Sequence, residues 1–490
     1  MTIFISGHNF SVELERLCRL FFPDEPIRTV TDADSQKDFR AAVVLRQDGC
    51  GGTVDTCLHL DTTDLHHSRA VSEEELKDTE KLNLALADGL FNLLCELTGY
   101  RPPWGMLTGV RPAKLLRMLL ETMPEEEAHR LFTEGFHCAE DKYRLCRDTI
   151  DVEQSILERS RTDSFSLYIS IPFCPTRCSY CSFVSQSVEK AARLLPEYVE
   201  YLVKEIEFTA RQARELGLRL ETVYMGGGTP TTLSAEQLST VLGAVNEHFD
   251  MSCVSEFTVE AGRPDTVTPE KLAAIKQQGV RRISINPQTL NDSVLEEIGR
   301  RHTAAQVYEA MDMARAAGFD DINMDLIAGL PKDDTASFAA TLDGVLSMKP
   351  ENITVHTLSM KKASTMVTVQ SRSSDARGST AGEMLSICSE RLPQSGYHPY
   401  YLYRQTRMVG NLENVGWALP GYDGLYNVYI MDETHTILAV GAGGVTKLRQ
   451  PGVNNIDRVY NFKFPYEYIS RFDQILERKG AVNRFYEEFC

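Results

Sequence analysis

The chain has 490 residues, too many for one ordinary domain and enough for two or three. With 42% hydrophobic and 24% charged residues it has the composition of a soluble globular protein. Its formal charge of −18 speaks against nucleic acid as a main partner, because phosphate contacts need a basic surface, and the acidity is read as serving solubility. The longest apolar runs are too short for a membrane span. The stretch Met1 to Gly7 lacks a basic, cleavable leader pattern, and with twelve cysteines this leads to the expectation of a reducing, cytoplasmic setting.

Residues 1–100 read as a small α+β domain. Thr2 to Ser6, Ala41 to Leu45 and Val54 to Leu60 are expected as strands. Ser11 to Phe22 and Glu73 to Thr98 are expected as helices, the second as one uninterrupted element. His66 and His67 are read as part of an exposed loop, since neighbours one apart do not share a helix face. Residues 101–165 form a helical connector that opens on the punctuated stretch Pro102 to Pro112. Residues 166–360 alternate strand and helix. The strands are expected at 167–171, 220–225, 254–260, 281–286, 321–327 and 352–358, and such alternation means βαβ units and a parallel sheet. Residues 361–490 form a C-terminal region: a Ser/Thr/Arg-rich lid or linker at 361–382, a helix at 383–392, then strands at 400–403, 425–431 and 437–440.

Cys174, Cys178 and Cys181 leave the end of the first strand of the repeating region at spacings i, i+4 and i+7. A short loop with that spacing can turn three thiolates toward one point and hold three corners of a [4Fe–4S] cube, whose full ligand set is usually four cysteines. The fourth iron is then left open. A structural zinc site would need a fourth Cys or His, and His302 and His356 lie far along the chain. A disulfide with a spare thiol is the remaining alternative.

With its flanks, Tyr168 to Cys174 followed by Cys178-Ser179-Tyr180-Cys181 resembles the cluster loop of radical S-adenosylmethionine (SAM) proteins. It resembles most the oxygen-independent coproporphyrinogen III oxidase family, and Trp104 to Pro112 and Tyr400 to Lys447 are similar to its HemZ-type branch. The resemblance implies an α/β fold, a partial (β/α)6 barrel with a small N-terminal α+β domain and a C-terminal α+β cap. It implies two cofactors, a [4Fe–4S] cluster on Cys174, Cys178 and Cys181, and SAM on its open iron. Gly226, Gly227, Gly228 and Thr229 match the family's GGGTP element, which meets the SAM amino group through the backbone. Glu260, Gln288, Arg300 and Asp325 match further SAM contacts, with Arg300 toward the carboxylate. Tyr168 matches a tyrosine beside the cluster, and Tyr168 and Glu260 are the expected catalytic pair.

The activity implied is the oxidative decarboxylation of coproporphyrinogen III to protoporphyrinogen IX, with a tetrapyrrole or haem as ligand and a flavodoxin or ferredoxin as electron donor. The sequence departs from the bacterial oxidase at Phe183, where that group carries a further cysteine and the haem-chaperone branch does not. A haem-binding chaperone, or radical chemistry on another tetrapyrrole, therefore stays open beside the oxidase.

Overall fold

The computed structural model describes residues 1–31, 39–60, 63–181, 185–359, 378–405, 408–453 and 455–489. Phe183, most of the 361–382 segment and Cys490 lie outside them. The chain divides into two compact units. One comprises Met1–Arg147, Gln370–Ser379 and Arg404–Glu413, and the other Asp148–Val369, Thr380–Tyr403 and Asn414–Cys490.

The first unit is built on a five-stranded sheet of β1 (Thr2–Ser6), β2 (Arg28–Val30), β3 (Ala41–Asp48), β4 (Gly51–Leu60) and β5 (Thr63–Ser72), in the order β2-β1-β3-β4-β5. Ile3, Ile5, Ala41, Val43 and Leu45 share one core with the apolar stripes of helices Ser11–Phe21 and Thr79–Thr98. The expected single helix at 73–98 is two. Ser72 and Glu75 form a capping box on Glu73–Lys77, and Asp78 then breaks the chain and caps Thr79–Thr98 with its own carboxylate. His66 and His67 sit on β5, not in a loop, because β5 pairs with β4 along its whole length. On a strand, adjacent side chains point to opposite faces, so they form no pair.

The Pro102 to Pro112 stretch is tied to residues 404–413 by a buried polar cluster. Trp104 is fully buried and donates Nε1–H to Glu413 Oε2 at 2.7 Å, while Lys142 Nζ donates to Glu413 Oε1 at 2.6 Å. The Arg404 guanidinium lies 5.2 Å from the Trp104 ring centroid and donates to the Leu107 carbonyl at 2.8 Å. Burial would raise the Glu413 carboxyl, but Lys142 and Trp104 outweigh it and hold it below its ordinary range.

The second unit is organised by one long sheet. Its middle is seven parallel strands: β6 (Ser164–Ile171), β9 (Arg219–Gly227), β10 (Glu256–Glu260), β11 (Arg282–Ser284), β12 (Asp321–Ala328), β13 (Asn352–Thr357) and β16 (Thr436–Val440). The short pair β7 (Phe173–Cys174) and β8 (Gln186–Ser187) stands apart. Antiparallel strands β14 (His398–Tyr403) and β15 (Asn414–Ala418) extend the β13 edge, and β17 (Val445–Arg449) and β18 (Ile456–Tyr460) extend the β16 edge. Among the described residues no strand joins the two edges, so the barrel is partial. The C-terminal strands thus continue the barrel's own sheet.

Each parallel strand alternates. Leu167, Ile169 and Ile171 on β6, Val223 and Met225 on β9, and Phe257 and Val259 on β10 are buried against helices Leu195–Glu215, Ala235–His248 and Pro269–Gln277. On β6 and β9 to β13 the other face carries Tyr168, Tyr224, Glu260, Ser284, Asn323, Asp325 and His356, while β16 turns Ile437 and Ala439 to it. A period of two thus turns polar side chains to the face away from the helices. The segment 425–431, expected as a strand, is the helix Leu425–Asp432. Its run of apolar residues fits either element. Glu256 decides it, accepting from the Leu425 and Tyr426 N–H groups at 2.5 and 3.4 Å at the positive end of the helix.

Candidate functional site

Cys174 closes β7, and Cys178 and Cys181 follow on the loop; all three are partly exposed and none is in a disulfide. The turn at Ile298 to Arg300 pins the loop at three points. Ser179 N–H donates to the Ile298 carbonyl at 3.0 Å, Thr176 Oγ1 to the Gly299 carbonyl at 3.1 Å, and Arg300 to the Tyr180 hydroxyl at 3.1 Å. The sulfurs are also contacted: Thr229 Oγ1 lies 3.6 Å from Cys174 Sγ, and an Arg263 nitrogen lies 3.6 Å from Cys178 Sγ. Burial pushes the Cys174 thiol up, and the Thr229 and Ser185 hydroxyls offset part of that. Among the described residues no three His, Cys, Asp or Glu side chains are drawn together as a ready-made site for a single ion.

The glycine run at the end of β9 packs against the cluster strand. Gly228 and Thr229 donate their N–H groups to the Ile171 and Phe173 carbonyls, both at 2.7 Å. A Cβ on Gly228 would come 2.5 Å from the Phe173 oxygen, and one on Gly226 2.9 Å from the Glu260 carboxyl carbon, so larger residues cannot be placed there. With the Gly228 and Thr229 donors spent, the groups left there for a ligand are carbonyls, which accept from an amino group.

Glu260 stands at the end of β10, accepting from the Tyr224 hydroxyl at 2.6 Å. Burial raises its carboxyl from 4.5 to about 7, with Asp325 adding to the rise and Tyr224 and His356 opposing it. Burial would raise Asp325 too, but His356 at 3.7 Å and Asn323 at 2.7 Å hold it below its ordinary range. Gln288 is buried at φ +69° and bridges to β12, its N–H on the Asp325 carbonyl and its carbonyl accepting from Ile327. A buried glutamine in left-handed backbone is strained, and such strain collects at functional sites. Arg300 is buried, donates to the Asn286 carbonyl at 2.6 Å and leaves its Nε without a partner. Tyr168 lies two residues below the rim on β6, in a near-parallel stack with Tyr224 and Tyr426, whose centroids lie 6.3 Å from its own.

The structure thus gathers the glycine run, Glu260, Gln288, Arg300 and Asp325 at the C-terminal strand ends, beside the loop bearing the three cysteines. Tyr168 sits one layer deeper. Sequence reasoning missed Arg263. It donates to Thr176 Oγ1 at 3.2 Å as well as to Cys178, while a bidentate pair with Asp265 at 3.0 and 3.2 Å holds it in place. Its place directly after Gly262, just past the end of β10, was the available signal. His302, weighed only as a distant metal ligand, is 2% exposed, with Nδ1 4.0 Å from Asp265 Oδ1. Burial, with Arg300 and Arg263 nearby, lowers it to about 4.

Polar side chains at the ends of parallel strands, three cysteines on the loop after the first, and a glycine turn against that loop define a class. Residues 168–344 match the radical SAM superfamily, a span that contains every candidate side chain named above. The chain is 38% identical over 393 residues to the oxygen-independent coproporphyrinogen-III oxidase-like protein HemZ of Bacillus subtilis (strain 168), covering 79% of this chain and 78% of that one. It is 30% identical over 324 residues to the heme chaperone HemW of Lactococcus lactis subsp. lactis (strain IL1403), covering 65% of this chain and 79% of that one. Among solved structures, coproporphyrinogen III oxidase (HemN) from Escherichia coli superposes with a TM-score of 0.49 at 23% identity, over 66% of this chain and 72% of that one. The chain belongs to the radical SAM superfamily and, within it, to the oxygen-independent coproporphyrinogen III oxidase family, HemZ-type branch. Membership implies a [4Fe–4S] cluster and SAM. No described helix is long and apolar enough to cross a membrane.

Proposed function

We propose that this chain is a radical SAM enzyme of porphyrin biosynthesis, converting coproporphyrinogen III to protoporphyrinogen IX without oxygen by oxidative decarboxylation of two propionates to vinyls. The observation that carries the reading is the set of unsatisfied and strained polar groups at the barrel mouth, in a chain 38% identical to an oxidase-like relative. Cys174, Cys178 and Cys181 would hold the cluster, a donor set that leaves one iron open. The carbonyls of Gly226 to Gly228 and the Glu260 carboxylate would accept from the SAM amino group. The spare Nε of Arg300 suits a carboxylate, and Gln288 and Asp325 suit the hydroxyls and ring edge of an adenosine. When bound, the reduced cluster and SAM supply a carbon radical able to take a hydrogen atom from a propionate β-carbon. Glu260, protonated below about pH 7 in the empty site, must lose that proton to accept from an ammonium group. The walls around Tyr168, Tyr224 and Tyr426 would keep water from the reacting carbon.

A second reading is a haem-binding chaperone, favoured by the HemW relative and by Phe183 in the cluster loop. A third is radical chemistry on another tetrapyrrole. Incubation of reconstituted protein with SAM, a reductant and coproporphyrinogen III under anaerobic conditions, followed by porphyrin chromatography, separates them. Stoichiometric protoporphyrinogen supports the oxidase. Tight haem binding without turnover supports the chaperone. 5′-Deoxyadenosine that accumulates only with haem supports the third.

A further inference from the structure

The β16 edge of the sheet ends in a surface that the proposed chemistry does not use. Among the described residues β18 is an edge strand, paired only with β17. On it and on the turn and helix that follow, Tyr460, Phe464 and Tyr466 are 54%, 38% and 52% exposed, and the Phe464 and Tyr466 rings stack at 5.7 Å. Arg471 and Arg478 lie 4.1 and 4.0 Å from the Phe462 ring centroid, Arg478 also donates to the Tyr460 carbonyl, and Lys463 is exposed between the aromatic positions.

The charges are sorted. Strand alternation places Arg458 on the Tyr460 side of β18 and Asp457 on the other, with Arg458 held 3.8 Å from Glu433. Helical pitch turns Asp473 and Glu477 about 100–140° around helix Phe472–Phe489 from Arg478. Glu467 is the half-buried acid beside Tyr466. A basic, aromatic face selects for an acidic partner and against a symmetric dimer in which the same face would meet itself.

This face is also joined to the cluster loop. Gly443 N–H donates to the Phe462 carbonyl at 2.8 Å, and the neighbouring Ala442 carbonyl accepts from Ser170 Oγ at 2.8 Å, four residues before Cys174. A file of rings runs beside that path. Phe173, the residue before Cys174, packs on Tyr198 at 5.1 Å, and Tyr198 packs on Tyr468 at 5.1 Å, on the helix that carries Tyr466.

We propose that the face formed by Tyr460, Phe464 and Tyr466 with Lys463, Arg471 and Arg478 docks a small acidic one-electron carrier protein, flavin- or iron–sulfur-based, which reduces the cluster. The inference rests on the radical SAM reading above. In the step, the carrier loses one electron and the cluster gains one; no bond forms or breaks.

The test uses the full reconstituted chain with a purified flavodoxin and, separately, a ferredoxin. The double variant Lys463→Glu/Tyr466→Ser changes two exposed side chains outside the proposed active site. Carrier binding, measured by calorimetry, is expected to weaken about tenfold in the variant, and the parent's affinity is expected to fall steeply with salt. Cluster reduction by the carrier slows accordingly, while reduction by dithionite and the cluster's absorption spectrum stay as in the parent. The proposal is overturned by equal carrier affinity in parent and variant, by no binding of either carrier to the parent, or by a parent dimer that the variant dissolves. Absence of 5′-deoxyadenosine from dithionite-reduced parent overturns the radical SAM function instead, and leaves the binding comparison to be scored by itself.

Discussion

The two ends of the same parallel strands treat polar residues in opposite ways. At the lower end most of the buried groups are paired, with Arg219 Nε and Asn352 Oδ1 as exceptions. Arg282 donates to the Tyr422 carbonyl at 2.9 Å and lies 3.4 Å from Asp321, which also accepts from Asn352 at 3.1 Å. Tyr429 donates to Glu221 at 2.5 Å, and His435 meets the Ser160 and Ser166 hydroxyls at 2.6 and 2.9 Å. At the upper end Glu260 titrates near pH 7, Gln288 is strained, and Arg300 keeps a buried nitrogen without a partner. An unpaired buried polar group costs about 1–3 kcal/mol, so the upper end is held in place by the lower one. The lower end closes the fold, and under the proposed function the upper end takes a ligand that is itself polar.

Substitutions that target one end sharpen the contrast. The largest expected effect is at the top: replacing Cys174, Cys178 and Cys181 together by Ala should abolish the cluster and all 5′-deoxyadenosine, measured by iron and sulfide analysis, while far-UV circular dichroism stays that of a folded chain. Next is the bottom. Arg282→Met removes the charge that offsets Asp321, whose burial already raises it to about 6, and should cost about 3–5 kcal/mol in urea unfolding of the apoprotein.

Glu260→Gln should do the reverse. The Glu260 carboxyl titrates at about 7 in the fold and ordinarily at 4.5, so its stabilising share is full below about 4.5 and is lost as pH rises to about 7. The variant escapes that loss and should gain about 3 kcal/mol over the parent at pH 8, with little gain at pH 4.5, while binding SAM poorly. The smallest effect belongs to Gln288→Gly, which relaxes a left-handed residue and should raise apoprotein stability by about 1 kcal/mol at the expense of SAM affinity. A gain at Arg282, or a loss at Glu260 at pH 8, would break the comparison.

The six expected strands of residues 166–360 appear within a few residues of their places, because apolar alternation and helix caps such as Ser234, Thr268 and Thr303 are local signals. The seventh parallel strand, β16, was legible as a strand but not as a barrel member, since its partner β6 lies about 270 residues earlier and register across that gap leaves no local trace. The helix at Leu425–Asp432 was misread because its cap comes from Glu256, far away in the chain. The mouth was legible as one polar residue per strand end. Arg263 was not, because its meaning lies in Thr176 and Cys178, which only the fold brings to it.

The central claim is that the barrel mouth binds SAM on a cluster held by three cysteines. Electron paramagnetic resonance of the reduced, reconstituted protein with and without SAM tests it most directly. The account predicts a [4Fe–4S]¹⁺ signal whose g values shift when SAM is added, followed by release of 5′-deoxyadenosine. A full cluster whose spectrum is indifferent to saturating SAM would contradict it.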